Sequence, residues 1–96
     1  MEFKRGEKIY LPCEVKPGPF PDERMVRIRI NGEEWLGFVH VSMLKENIME
    51  GKSEISAEIV DIKGNKVYVR IPGESVNRTL FLIAKSEIGR FDSFKG

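Results

Sequence analysis

The chain carries one cysteine, one histidine and one tryptophan in 96 residues, and each scarcity removes a class of function. A lone Cys13 can form no intrachain disulfide, which points to a reducing compartment. Cys13 and His40 together cannot supply the four ligands of a zinc site, so no metal or other cofactor is expected. Charge of either sign is not in excess: 16 Lys and Arg face 15 Asp and Glu, a net charge of +1. That excludes a polybasic or polyacidic mode of action. No apolar run approaches the ~18 residues that a spanning helix needs. The first eight residues, Met1 to Lys8, hold no apolar segment of signal-peptide length. The expectation is a soluble cytoplasmic chain without a membrane partner. Neither Gly-x-x-x-x-Gly-Lys-Ser/Thr nor Gly-x-Gly-x-x-Gly occurs, so no phosphate-cradling nucleotide loop is indicated. No Ser or Cys sits in a nucleophile elbow, and the chain does not read as an enzyme.

What is present is a periodicity of two. Ile9, Leu11, Cys13 and Val15 share one side of an extended run, and Val26, Ile28 and Ile30 share one side of the next. Leu36 to Val41 is a third run. Ile55, Ala57 and Ile59 alternate with polar residues, as do Val67, Val69 and Ile71, and Thr79 to Ala84 makes a sixth. Alternation of this kind belongs to antiparallel sheets with one buried and one wet face. The punctuation agrees. Lys16 to Asp22 is a proline-rich loop, Asn31-Gly32 marks a hairpin, and Lys63-Gly64-Asn65 and Pro72-Gly73 mark further turns. Only Ser42 to Met49 has helical spacing, enough for a single turn.

The chain also resembles itself. Met25 to Glu33 lines up with Lys66 to Glu74, Leu36 with Leu80, Val39 with Ile83, Ser42 with Ser86 and Leu11 with Ile55. The reading is one domain over residues 1–96 with a tail at 89–96, in which 8–44 and 52–88 are either half-repeats or two β-rich segments alike in pattern alone. A three-stranded unit cannot close its own edges, so two of them must share one core. The expected fold is all-β: a small antiparallel barrel of five to six strands, OB-like. An SH3-like or pseudo-twofold barrel of two three-stranded halves is the competing architecture.

The segment Gly37-Phe-Val-His-Val-Ser-Met-Leu44 resembles the S-one type of RNA-binding OB domain, which commonly reads Gly-Leu-Val-His-Ile-Ser-x-Leu at its third strand. Glu58 to Val67, with Asp61 before a Gly-x-basic turn, looks like that family's final hairpin. The resemblance spans roughly residues 6–71. It implies an OB fold and single-stranded RNA as ligand, with His40 facing the RNA and Asp61 and Lys66 in the last hairpin. The chain departs from the family where Arg24-Met25-Val26-Arg27 stands in place of aromatic residues, and a sixth strand exceeds the usual five. The stacking platform of the second strand is therefore missing.

From the residues themselves, the outward side of the second and fifth strands offers Arg27, Arg29, Lys66, Tyr68 and Arg70. Cations interleaved with a ring can track phosphates and stack a base. The plainer interpretation makes them ordinary solvated residues of amphipathic strands, paired with Glu14 and Glu58 across the sheet. Phe38 shares its strand side with His40 and completes the candidate nucleic-acid set. The alternative partner is a protein, or a second copy of this chain, with Phe20 and Trp35 as apolar anchors. Trp35 equally suits a ring that plugs one end of a barrel. Cys13, in phase with Ile9, Leu11 and Val15, reads as a buried small hydrophobe rather than a nucleophile.

Overall fold

A computed structural model describes residues 3–30, 32–75, 80–86 and 88. Six full strands and one two-residue strand follow in order: β1 (Lys8–Pro17), β2 (Glu23–Ile30), β3 (Glu33–His40), β4 (Gly51–Lys63), β5 (Lys66–Arg70), β6 (Glu74–Ser75) and β7 (Leu80–Ala84). All pairings are antiparallel, in the spatial order β6-β3-β2-β1-β4-β5-β7. β3 also lies against β7, so the sheet curls into a nearly closed barrel, consistent with the expected small OB-like architecture. Asn31, Thr79 and the tail at 89–96 lie outside the described residues.

The period-two pattern translates directly into the core. Leu11, Val26, Ile28, Ile55, Ile59, Val67, Val69 and Phe81 point inward with no exposed surface. Burying each such side chain contributes about 1.5–3 kcal/mol against an extended chain. Trp35 is also fully buried, on the inward side of β3 opposite Ile28. Trp35 is a core ring, and the anchor reading does not hold. A ring with no exposed surface cannot meet a partner, because the odd positions of β3 face the core.

Gly32 and Gly64 turn the β2–β3 and β4–β5 hairpins at φ of 81° and 60°, values that side-chain-bearing residues rarely adopt. Between β3 and β4 the expected helical turn at Ser42 to Met49 is shorter and earlier, a 3-10 turn over Val41–Met43. The reason is Leu44, which leaves the helical path to bridge Ile55 and bury itself, while the Lys45 N–H donates to Glu54 O.

The ladders repeat between the two halves. Leu11 stands opposite Ile55 in the β1–β4 pair, and Glu14↔Lys52 is mirrored by Glu58↔Lys8. Glu14↔Arg27 and Arg27↔Leu36 recur as Glu58↔Arg70 and Arg70↔Leu80. A pseudo-dyad thus passes through the Leu11–Ile55 pair. By register Arg70, not Tyr68, occupies the position of Arg27. The sequence match had slipped by two residues on that strand, which leaves each side chain on its face.

Candidate functional site

The candidate nucleic-acid residues fall into two groups. Arg27 and Arg29 project from β2 and Phe38 and His40 from the adjacent β3, with Arg27 opposite Leu36, Met25 opposite Phe38 and Glu23 opposite His40. Lys66, Tyr68 and Arg70 project from β5. The expectation of one wet face spanning the second and fifth strands is corrected. β1 and β4 lie between them, a separation of three strand spacings, about 14 Å around a curved wall. The outward residues of those intervening strands include Glu14, Glu54 and Glu58.

Several of the cations are engaged. Arg27 Nε lies 2.8 Å from Glu34 Oε2, and Arg70 Nη2 lies 3.3 Å from Glu58 Oε1. Lys66 stands directly opposite Lys63 across the hairpin, a like-charge pair that the sheet itself does not favour. Asp61 sits where the β4–β5 register shifts. Its Oδ1 accepts from the Ile62 N–H at 2.8 Å and from Arg5 at 3.0 Å. These contacts hold the carboxyl below its ordinary value, the Ile62 N–H contributing most. Asp61 shapes the irregular stretch of the hairpin.

His40 ends β3 and caps the 3-10 turn. The Ser42 N–H donates to Nδ1 at 3.1 Å, and Ser42 Oγ lies 2.8 Å from the same atom. Nδ1 is therefore the acceptor nitrogen, which places the ring proton on Nε2, 3.4 Å from Asp22 Oδ2. Serine, imidazole and carboxylate stand in line, as in a hydrolase relay. Here, though, the serine is two residues along the same turn, and both His40 and Asp22 are more than half exposed, at 54% and 65%. The arrangement locks β3 to the proline-rich loop, aided by the Val41 N–H donating to Asp22 O at 2.8 Å.

Sequence reasoning missed Arg24, the one buried charged residue among those described, at 6% exposure. Its Nε donates to Ile48 O at 2.7 Å, and its Nη1 donates to Pro21 O and Glu23 O at 2.9 and 2.8 Å. It ties the 18–22 loop to the segment before β4. Its phase was the available signal: Arg24 falls on the same side of β2 as Val26, Ile28 and Ile30.

Beyond Glu14 the β1–β2 ladder ends, and Pro12, the next residue on the same face, has no N–H to donate. There the wall opens into a cleft of about 290 Å³, lined by Pro12, Glu14, Arg27, Arg29 and Lys52 and reaching Cys13. Burial pushes the Cys13 thiol up to about 12, so it stays protonated and unreactive at neutral pH. Among the described residues no group of three or more His, Cys, Asp or Glu could hold a metal, and no helix is long and apolar enough to cross a membrane. Compared with protein-family models, curated proteins and solved structures, the chain matches none.

Proposed function

We propose that this chain is a non-catalytic module that binds single-stranded nucleic acid, RNA foremost, over the outer faces of β2 and β3. The observation that carries this reading is one outer face shared by cations and rings: Arg27 lies diagonally across the ladder from Phe38, with Arg29 further along at one end and His40 at the other. A base can stack on Phe38 while a phosphate meets the arginines. The His40 ring is held by the bond that Nδ1 accepts and by Asp22 at Nε2, so a ligand meets an oriented, half-exposed ring rather than a free rotor. Lys66, Tyr68 and Arg70 on β5 form a second, separate contact region, which a longer strand would reach.

Net charge near zero gives little long-range attraction, so affinity is micromolar and salt-sensitive. With two to four phosphates contacted, log K should fall against log salt with a slope of about −1.4 to −2.8. Fluorescence anisotropy with short RNA and DNA oligomers at low salt measures this. His40→Ala should weaken the binding of short oligomers, and Lys66→Ala that of strands long enough to reach β5. Absence of binding, or binding unchanged by both substitutions, refutes the reading.

The alternative, a protein-interaction or assembly barrel, loses Trp35 to the core and keeps Phe20. That ring is 62% exposed on a loop braced by Gly18 N–H to Glu23 O and Glu23 N–H to Phe20 O bonds. Light scattering coupled to size exclusion tests it. A strict monomer unchanged by Phe20→Ser removes self-assembly through this loop.

A further inference from the structure

The pseudo-dyad supplies a comparison within one molecule. A second cleft, of about 170 Å³, opens where β4 parts from β5 beyond Glu58, and it is lined by Lys8, Met43, Ser56, Glu58, Arg70 and Pro72. By ladder register Pro12 corresponds to Ser56, Glu14 to Glu58, Arg27 to Arg70, Arg29 to Pro72 and Lys52 to Lys8. The two clefts are therefore the same architectural feature, generated twice. Their charges differ. In the second cleft Arg70 is tied to Glu58 at 3.3 Å, proline replaces the other arginine, and Met43 takes up space. In the first, Arg27 turns to Glu34 on the far side, and no ion pair of the described residues involves Arg29 or Lys52.

We propose that the first cleft, between β1, β2 and β4, is a phosphate-binding site in which Arg29 and Lys52 supply the charge. Arg29 suits a phosphate as a two-pronged donor, and Lys52 as a compact positive charge on the opposite wall. Glu14 lies between them, opposite both Arg27 and Lys52, and moderates the site without closing an ion pair. Its carboxylate makes the site weak for an isolated anion, and better suited to a phosphate delivered on a larger ligand. The phosphate can come from a nucleic-acid backbone or from a free or small phosphorylated molecule. The proposal shares its chemistry with the nucleic-acid reading and does not require it, because the cleft lies on the β1–β4 side of Arg27 rather than on the Phe38 side.

The test is an amide-resolved NMR titration of the full chain at low ionic strength, with inorganic phosphate in one arm and oligothymidylate in the other. The expected result is saturable shifts at Cys13, Arg29 and Lys52 in at least one arm, with Lys8, Glu58 and Arg70 moving less. Lys52→Gln and Arg29→Gln should each weaken that binding roughly three- to tenfold. Glu14→Gln should strengthen it, whereas Glu58→Gln in the equivalent cleft should not. Gain of affinity on removing a carboxylate cannot come from misfolding, which keeps the test decisive if an arginine variant is unstable. Equal response of the two clefts, or indifference of both ligands to Lys52 and Glu14, overturns the proposal. Oligonucleotide binding that depends on His40 but not on Lys52, with no response at the cleft to inorganic phosphate, overturns it too, while leaving the nucleic-acid reading intact. Phosphate binding at the cleft without any oligonucleotide binding does the reverse.

Discussion

Replacing Arg24 by methionine asks how much of the barrel's end depends on one buried cation. The guanidinium makes three bonds of 2.7–2.9 Å to the carbonyls of Ile48, Pro21 and Glu23, and it approaches Asn47 Oδ1 at 3.5 Å. Deleting a bond from a charged donor costs roughly 1.5–3 kcal/mol, and a stranded buried carbonyl costs a similar amount. Those sums overstate the loss. Glu23 O keeps a second donor in the Gly18 N–H, water can reach loop carbonyls, and methionine recovers some packing. Losing the charge's own desolvation cost offsets more. A net destabilisation of about 2–4 kcal/mol remains. For a chain of this size that lowers Tm by roughly 10–30 °C. Arg24→Lys should fall between, since a single ammonium cannot span carbonyls on two segments. Urea unfolding followed by Trp35 fluorescence reads both variants. If Arg24→Met lies within about 0.5 kcal/mol of the parent, or lysine is as damaging as methionine, the bracing role assigned to Arg24 is wrong.

Trp35 should emit at short wavelength, resist acrylamide quenching and change little on oligonucleotide addition, because its ring has no exposed surface. Ready quenching in the folded protein contradicts its placement. Its Nε1–H has no hydrogen-bond partner among the described residues, so Trp35→Phe should cost clearly less than the ~3–5 kcal/mol expected for Trp35→Ala; equal losses by denaturant unfolding count against that. Asp61 titrates below its ordinary value when folded, so its stabilising effect is complete above about pH 3.9 and disappears as pH falls through the lower folded value. Asp61→Asn should flatten the acid limb of a pH–stability curve, and an unchanged limb refutes the assignment. Cys13 has the opposite sign. Its folded thiol holds its proton up to about 12, against 9.0 ordinarily, so folding weakens as pH rises between those values. Cys13→Ala should make that alkaline decline shallower. At Gly73 an added Cβ would lie 2.5 Å from Phe38 O and 2.7 Å from Val39 Cγ1. Gly73→Ala should therefore lower Tm and disturb Phe38 amide shifts, and normal values for both would show that the 72–75 segment yields freely.

The strands were legible because their inward residues alternate without interruption. Ile9 to Val15, Val26 to Ile30 and Val67 to Ile71 all face the core as their period requires. The barrel followed from the need to cover two sets of edges. The neighbourhood of β1 and β4 was not legible, since nothing local in Leu11 or Ile55 says that they stand opposite each other. That long-range register separates Arg27 from Arg70 and divides the presumed single wet face. The Arg27–Glu34 pair was equally hidden: partner choice depends on which carboxylate a twisted sheet brings within reach, not on the nearest one in register, Glu14. Arg24 was visible as a charge in an apolar phase, but only the two loops folding over it explain why the charge is tolerated.

Internal symmetry gives a physical criterion for separating structural charge from charge that is available for binding. In a barrel whose halves repeat their registers, a pair present on both sides of the dyad is accounted for by the architecture. The cross-strand Glu–Arg and Glu–Lys registers at Glu14 and Glu58 repeat, but among the described residues only Glu58 closes an ion pair with its arginine, which leaves Arg27 and Lys52 outside that account. A feature on one side only is not accounted for in this way. Arg29 faces Glu34 on β3 with no ion pair recorded, and its counterpart in the other cleft is Pro72. His40 falls opposite Glu23, whereas its counterpart Ala84 falls opposite Lys66. The unmatched residues include Arg29 and His40 on the β2–β3 side, and Lys66 and Tyr68 on β5, whose counterparts are Glu23 and Met25. Each side of the dyad thus carries a cation and a ring that symmetry does not explain, so Arg29 and His40 on one side and Lys66 and Tyr68 on the other are the residues whose substitution separates the two surfaces.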